Sequence, residues 1–312
     1  MIELLSEHVA NQIAAGEVIQ RPASAVKELL ENAIDAQSTK IQLIVKDAGA
    51  SLVQVIDNGI GMSQKDAEIC FKKHATSKIK STDDLFSISS KGFRGEALSS
   101  IAAVSQVELK TKRIKSDIGH QVIIEASKVV LSEPCAFSNG TSISMRNLFF
   151  NVPARRNFLK SKGVETKRII DEFHRVALTH PEIHFTMHHN NNVVFDLPIT
   201  NTRQRIVSIF GKKYNERLVP VDEETSITKI SGFVLKPEFS KRTRGEQFLF
   251  INNRFIRNNS INHAVKVVFK DLIGNDSFPS YFIYLTVPLD TIDVNIHPSK
   301  TEIKFEDERA VY

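Results

Sequence analysis

Apolar and polar positions run along the chain in blocks whose period changes between helical and extended. Over residues 22–36, Val26, Leu29, Leu30 and Ala33 recur at helical spacing, and Pro22 suits the first turn of a helix. IQLIVK and LVQVID follow. There Ile41, Leu43 and Val45, and then Val53 and Val55, take every second position, as in half-buried strands. Upstream, residues 7–14 read as a short helix capped by Ser6. Ser63 with Asp66 forms a capping-box pattern ahead of a helix expected to end near Lys73. Residues 80–91 are polar and Ser-rich, the composition of a loop or lid. GFRGEAL then opens a helix that runs to about Val104.

The later pattern is VELKTKR, HQVIIEA and TSISMR as strands, a helix from Glu165 that ends before Pro181, and FTMHH with NVVFDL as a hairpin. Gly211 closes a helix over 203–210. A strand, a strand around Asn252-Asn253, a helix to Gly274, a strand and a final pair ending in TEIKF complete the chain. Elements of one kind cluster and do not alternate as regular βαβ units. That predicts an α+β fold over a doubly wound parallel sheet. The polar stretch 199–204, ITNTRQ, marks the expected boundary between a first domain, 1–200, and a second, 204–312. The last residues start a helix and stop, as in a piece of a longer protein.

Composition narrows this picture little. A chain of 312 residues suits two domains. A formal charge of +5 agrees with contact to nucleic acid and equally with a plain basic surface. The cysteines, Cys70 and Cys135, have neither zinc-site nor disulfide-framework spacing, and the histidines show no metal spacing. No signal peptide is evident, and no apolar run reaches the roughly 18 residues of a membrane helix. The expectation is an intracellular protein with no membrane partner.

Chemistry enters with the polar face of the helix over 22–36. Glu28, Glu31, Asn32 and Asp35 fall at i, i+3, i+4 and i+7, one stripe opposite the apolar one. The stripe itself holds no Lys or Arg as an i,i+4 partner. It reads as a solvated acidic face, or as a site for a cation or a catalytic carboxylate. DNGIGM places Asp57 at a strand end followed by Gly59 and Gly61. Glycines there fit a tight turn. They also fit close approach of a base, with the carboxylate accepting the exocyclic amine of adenine. Gly92 and Gly95 open a helix whose free N–H groups suit phosphate or a simple cap. Neither GxxxxGK[ST] nor GxGxxG occurs.

The order of these features, followed by Gly140-Thr141, resembles the GHKL ATPases. NQIAAGEVIQRPASAVKELLENAIDA, HATSKI, GFRGEALSSIAAVS, LFFNVPARRNFL and DVNIHPSKTEIKF narrow the resemblance to the MutL family of DNA mismatch-repair proteins. It spans nearly the whole chain. It implies a GHKL (Bergerat-type) ATPase α/β sandwich followed by a ribosomal-protein-like α+β domain, with ATP and Mg²⁺ as cofactors.

Carried over residue by residue, the resemblance makes Glu28 the general base and Asn32 the Mg²⁺ ligand. Asp57 contacts adenine, with Gly61 and Thr141 beside the base. Thr76, Ser77 and Lys78 form one lid segment, and Gly92, Phe93, Arg94, Gly95 and Glu96 the phosphate lid. Lys300 reaches the γ-phosphate from the second domain. Glu31 and Asp35 take supporting places. The resemblance also implies DNA binding with little sequence preference, through residues such as Lys236, Lys241, Arg242, Arg244, Arg254, Arg257, Lys266 and Lys270. It further implies ATP-dependent homodimers or heterodimers, a MutS-type mismatch-recognition partner, a downstream nuclease or helicase, and a cytoplasmic or nuclear location. Asn252-Asn253-Arg254 departs from the family's usual Asn-Gly-Arg. A gyrase-type topoisomerase subunit and a scaffold that binds ATP without turnover are the alternatives.

Overall fold

The computed structural model describes residues 3, 7–78, 91–92, 95–293 and 302–312, with the backbone alone for 7–10. Phe93, Arg94 and Lys300, and the cap expected from Ser6, lie outside the described residues. The chain forms two compact units. One holds most of the chain up to Val176 together with Glu182–Ile199; the other holds Ala177–Pro181 and Thr200–Tyr312. Both mix helices with largely antiparallel sheets, as the clustering of elements predicts.

The first unit begins with α1 (Glu7–Val18), α2 (Pro22–Asp35), β1 (Lys40–Lys46), β2 (Leu52–Asp57) and α3 (Gln64–Ile69). It continues through α4 (Ala97–Val104), β3 (Gln106–Lys112), β4 (Gly119–Glu125), β5 (Lys128–Cys135) and β6 (Gly140–Arg146). α5 (Pro153–Asn157), α6 (Lys162–Thr179), β7 (His184–His189) and β8 (Asn192–Leu197) follow, the end of α6 belonging to the second unit. The strands make one sheet in the order β5-β4-β3-β6-β2-β1-β7-β8, parallel only between β1 and β7.

α2 rests on β2 and buries the predicted stripe: Val26, Leu29, Leu30 and Ala33 are 0–2% exposed. Burial of this kind contributes about 1.5–3 kcal/mol for each large side chain. The predicted alternation holds, with Ile41, Leu43, Val45 and Val53 wholly buried. α1 is longer than its apolar signal and runs on through Gly16 to Val18. α3 has the expected capping box but ends at Ile69, after which residues up to His74 turn. The hairpin β7–β8 turns on Asn190 and Asn191, both at positive φ. β5 and α5 carried no readable period. β5 is an edge strand with Val129 and Val130 exposed, so no face of it alternates.

The second unit contains α7 (Thr202–Phe210), α8 (Tyr214–Arg217), β9 (Leu218–Glu224), β10 (Lys229–Leu235), β11 (Gln247–Ile251) and β12 (Arg254–Phe255). After these come α9 (Asn259–Val268), β13 (Tyr281–Thr286), β14 (Ile292–Asp293), β15 (Lys304–Phe305) and α10 (Glu308–Val311). The main sheet runs β12-β11-β13-β10-β9, with β11 and β13 parallel. β11 is buried on both faces. Phe248 and Phe250 join one core with Phe282, while Leu249 and Ile251 join another with Tyr281 and Ile283. The turn after β11 places Asn252 and Asn253 at φ 47 and 62, a conformation that asparagine tolerates. The Asn252 amide adds a reciprocal pair with the Val287 backbone, at 2.9 and 3.0 Å.

Candidate functional site

The polar face of α2 and the C-terminal end of β2 are stitched together at the end of the helix. Ile60 N–H donates to the Ala36 carbonyl at 3.0 Å, and Asn58 Oδ1 accepts from the Thr39 and Lys40 N–H groups. Gly59 lies so close to this corner that a Cβ there would sit 2.5 Å from the Ala36 oxygen. Asp57 is therefore held beside the end of the helix that carries Glu28, Asn32 and Asp35.

Asp57 is buried, and its Oδ1 accepts the Gly59 N–H at 2.8 Å. Burial pushes its carboxyl up from 3.8 to about 6, because desolvation disfavours the charged form. Hydrogen bonds from Gly59, the Ser38 hydroxyl and the Thr141 backbone offset part of this. The single Ser38 proton is divided, since the Ala33 carbonyl lies 2.6 Å from the same hydroxyl. Thr141 pairs with Asp57 across β2 and β6, and its hydroxyl lies 3.0 Å from that of Thr111. Thr111 Oγ1 in turn accepts the Met62 N–H at 2.9 Å.

The glycines do more here than admit a ligand. At Gly61, φ is +64° and a Cβ would lie 2.1 Å from the Lys112 carbonyl oxygen. At Gly140, φ is +115° and a Cβ would lie 2.0 Å from the Asp57 carbonyl oxygen. The backbone around Asp57 packs so tightly that a side chain is excluded whether or not a base is near.

On α2, Glu28 and Asn32 share a face with Glu31 and Asp35, and the side chains of Glu28, Glu31 and Asp35 are 12–13% exposed. The stripe does have cationic partners. Lys27, four residues before Glu31, places its ammonium 3.8 Å from Glu31 and 3.9 Å from Glu28. Lys78 reaches in from another segment, 2.5 Å from Asp35 Oδ2 and 3.1 Å from Asn32 Oδ1. Asp35 also accepts the Lys91 N–H at 3.1 Å and the Gly92 N–H at 3.4 Å. Asp35 thus joins both glycine-side and lysine-side segments to the helix, a larger part than the stripe suggested.

Gly95, at φ +64°, backs onto Ala75, whose carbonyl oxygen would be 2.7 Å from a Cβ. His74 Nδ1 lies 3.8 Å from Glu96 Oε1. Residues 74–78 and 95–96 therefore adjoin, while Thr76 and Ser77 stay exposed and the Thr76 hydroxyl accepts the Lys78 N–H. Sequence reasoning missed Ser38 and Thr111. Thr111 had a signal, since it continues the buried alternation of Val107 and Leu109; Ser38 had none.

Of the basic residues in the second unit, Lys241 is engaged by Glu246 and by the Tyr214 hydroxyl. Arg244 and Lys266 lie over the Phe278 ring, at 4.9 and 5.1 Å from its centroid. Among the described residues no group of three acidic, His or Cys side chains stands ready for a metal. No described helix is long and apolar enough to cross a membrane.

The chain is similar to known proteins along most of its length. Residues 20–137 match the family described as histidine kinase-, DNA gyrase B-, and HSP90-like ATPase, and residues 206–312 match that described as DNA mismatch repair protein, C-terminal domain. The chain is 61% identical over its full length to a DNA mismatch repair protein MutL of Christiangramia forsetii and 59% to that of Flavobacterium johnsoniae. It covers 51% and 48% of those proteins, about half the length of the curated relatives it matches. Among solved structures, the N-terminal domain of a DNA repair protein aligns at a TM-score of 0.83 and 25% identity, covering 97% of this chain and 94% of that one. The Aquifex aeolicus MutL ATPase domain complexed with ADP aligns at 0.68 and 26% identity, covering 87% and 93%.

Proposed function

Since the chain belongs to the MutL family of DNA mismatch-repair proteins and has a GHKL-type ATPase fold, we propose that it binds and slowly hydrolyses ATP as a switch in mismatch repair. One observation carries the reading: a buried carboxylate, Asp57, is locked beside the end of the helix that bears Glu28 and Asn32. ATP needs such a pair of features, one for the base and one for the phosphates.

Asp57, ionised, accepts the exocyclic amine of adenine. Guanine has a carbonyl at that ring position and would face the carboxylate unfavourably, so the site prefers ATP to GTP. Thr141 and Gly61 stand beside the base. Lys78 and the backbone N–H groups of 92–96 serve the phosphates. Lys300 completes this set on the resemblance alone. Glu28 orients a water and takes its proton as the oxygen attacks the γ-phosphorus. The bond from that phosphorus to the β–γ bridging oxygen breaks, leaving ADP and inorganic phosphate.

The donor set fits Mg²⁺. Asn32 offers an amide oxygen already engaged by a cation, the Lys78 ammonium, and Mg²⁺ favours oxygen donors and retains waters. When bound, Mg²⁺ neutralises charge on the phosphates. Turnover belongs well below the ~10 s⁻¹ median of enzymes, because a switch must dwell in each state.

In the same reading, ATP drives pairing with a second copy or a relative. The protein contacts DNA with little sequence preference and relays recognition from a MutS-type protein to a nuclease or helicase. Equilibrium titration with ATP and GTP tests the base assignment. Preference for ATP that disappears in Asp57→Ala supports it. Equal affinity for both nucleotides in the wild type removes it.

A further inference from the structure

The Asn32 amide oxygen, the donor assigned to the metal, already accepts a cation of the chain's own. The Lys78 ammonium is 3.1 Å from Asn32 Oδ1 and 2.5 Å from Asp35 Oδ2, in a setting where both charged side chains are largely buried, at 20% and 13% exposed. Mg²⁺ binds oxygen at about 2.0–2.1 Å. A divalent ion on that oxygen would lie next to the ammonium, with little water between to screen two like charges. Repulsion between the two cations therefore disfavours metal and Lys78 holding Asn32 together.

We propose that Lys78 and the divalent metal occupy Asn32 in turn, so that Lys78 is a positioning residue displaced from the helix when the metal arrives. This rests on the nucleotide-site reading given above. Asp35 makes the exchange consequential. Its carboxylate holds the Lys78 ammonium on one side and the Lys91 and Gly92 N–H groups on the other. When the ammonium leaves, Asp35 keeps backbone donors as partners, and the freed charge turns toward the phosphates. Metal binding at α2 is thereby coupled to both segments that Asp35 joins. Neither stripe spacing nor motif order announces this coupling, because its partners come from three separate parts of the chain.

The test uses Mn²⁺ as the probe, its binding to the ADP-loaded protein followed by electron paramagnetic resonance. Wild type and Lys78→Met are compared at about 0.5 M KCl, where charge effects acting at a distance are screened. Removal of the internal competitor should tighten Mn²⁺ binding at least fivefold. Unchanged or weaker Mn²⁺ binding by a folded Lys78→Met protein overturns the exchange. A second measurement needs no variant: with ¹³Cε-labelled lysine, the Lys78 resonance should move when Mg²⁺ is added to the ADP-loaded wild type. If it stays in place, the exchange does not occur. If ADP itself fails to bind the wild type, the nucleotide-site reading falls and takes this proposal with it; if ADP binds and Mn²⁺ behaves alike in both proteins, only the exchange falls.

Discussion

Acidification should release adenine from the site before it harms the rest of the protein. The group responsible is Asp57, whose carboxyl is raised by burial from 3.8 to about 6. The ionised form accepts the adenine amine far more strongly than the neutral acid, which turns one oxygen into a donor. With a midpoint of about 6, roughly nine tenths of the carboxyl is ionised at pH 7 and about one tenth at pH 5, so affinity for the base should fall about tenfold between them, or ~1.4 kcal/mol. A carboxylate of ordinary pKa would lose almost nothing over that range. Adenosine is the suitable ligand, because the last proton of a phosphate monoester also titrates near pH ~6.

Stability moves the other way. The folded state holds the Asp57 proton more tightly than the unfolded state, so this group favours folding most below 3.8. That contribution is lost as pH rises from 3.8 to about 6, a change of roughly 3 kcal/mol, and stays lost above. Carboxyl-carbon NMR titration of Asp57, run beside adenosine binding, checks both. A midpoint near 4, or adenosine affinity flat down to pH 5, would show that burial does not raise Asp57 or that its charge does not hold the base.

Other outcomes follow from particular contacts. Gly140→Ala places a Cβ 2.0 Å from the Asp57 carbonyl oxygen at a φ of +115°. It should cost about 2–4 kcal/mol by urea unfolding and weaken ATP binding as Asp57 shifts. Phe282→Ala removes a fully buried ring stacked on Phe248 at a centroid distance of 5.3 Å, and should cost about 3–5 kcal/mol in thermal or chemical melts. If Arg244 and Lys266 touch DNA phosphates, each alanine variant should reduce the slope of log affinity against log salt by about 1, for any DNA sequence. An unchanged slope would assign their place over Phe278 to packing alone.

The parts of the fold legible in the sequence are those where one face is buried and the other wet. α2, β1 and β2 announce themselves because Leu29, Leu30, Leu43 and Val53 repeat with the period of their element. β5 does not, since an edge strand with Val129 and Val130 exposed has no buried face to mark. α3 ends at Ile69, and the expected end at Lys73 lies too far along because Cys70 and Phe71 continue an apolar pattern and Lys72 and Lys73 suit a helix surface and a turn equally.

At the site, motif order brought out the stripe on α2 and the turn after Asp57. It hid what depends on tertiary contact, namely the junction at Asp35 and the tight backbone at Gly61 and Gly140; the Lys27–Glu31 pair is local, at i,i+4, and lies just off the stripe. Gly61 looks like a ligand-approach residue in the sequence, yet the Lys112 carbonyl already requires it, as the Asp57 carbonyl requires Gly140. Lys91 and Gly92 lie more than fifty residues from Asp35 in the chain, and no local period links them.

Glu28, as proposed, activates water at an ATP site. Single-turnover hydrolysis of ATP with Mg²⁺ by wild type and Glu28→Ala, with binding measured on the same samples, tests it most directly. Both proteins should bind ATP, and loss of Glu28 should lower the rate at least ~100-fold, the range for a general base. Equal hydrolysis rates in the two proteins would contradict it.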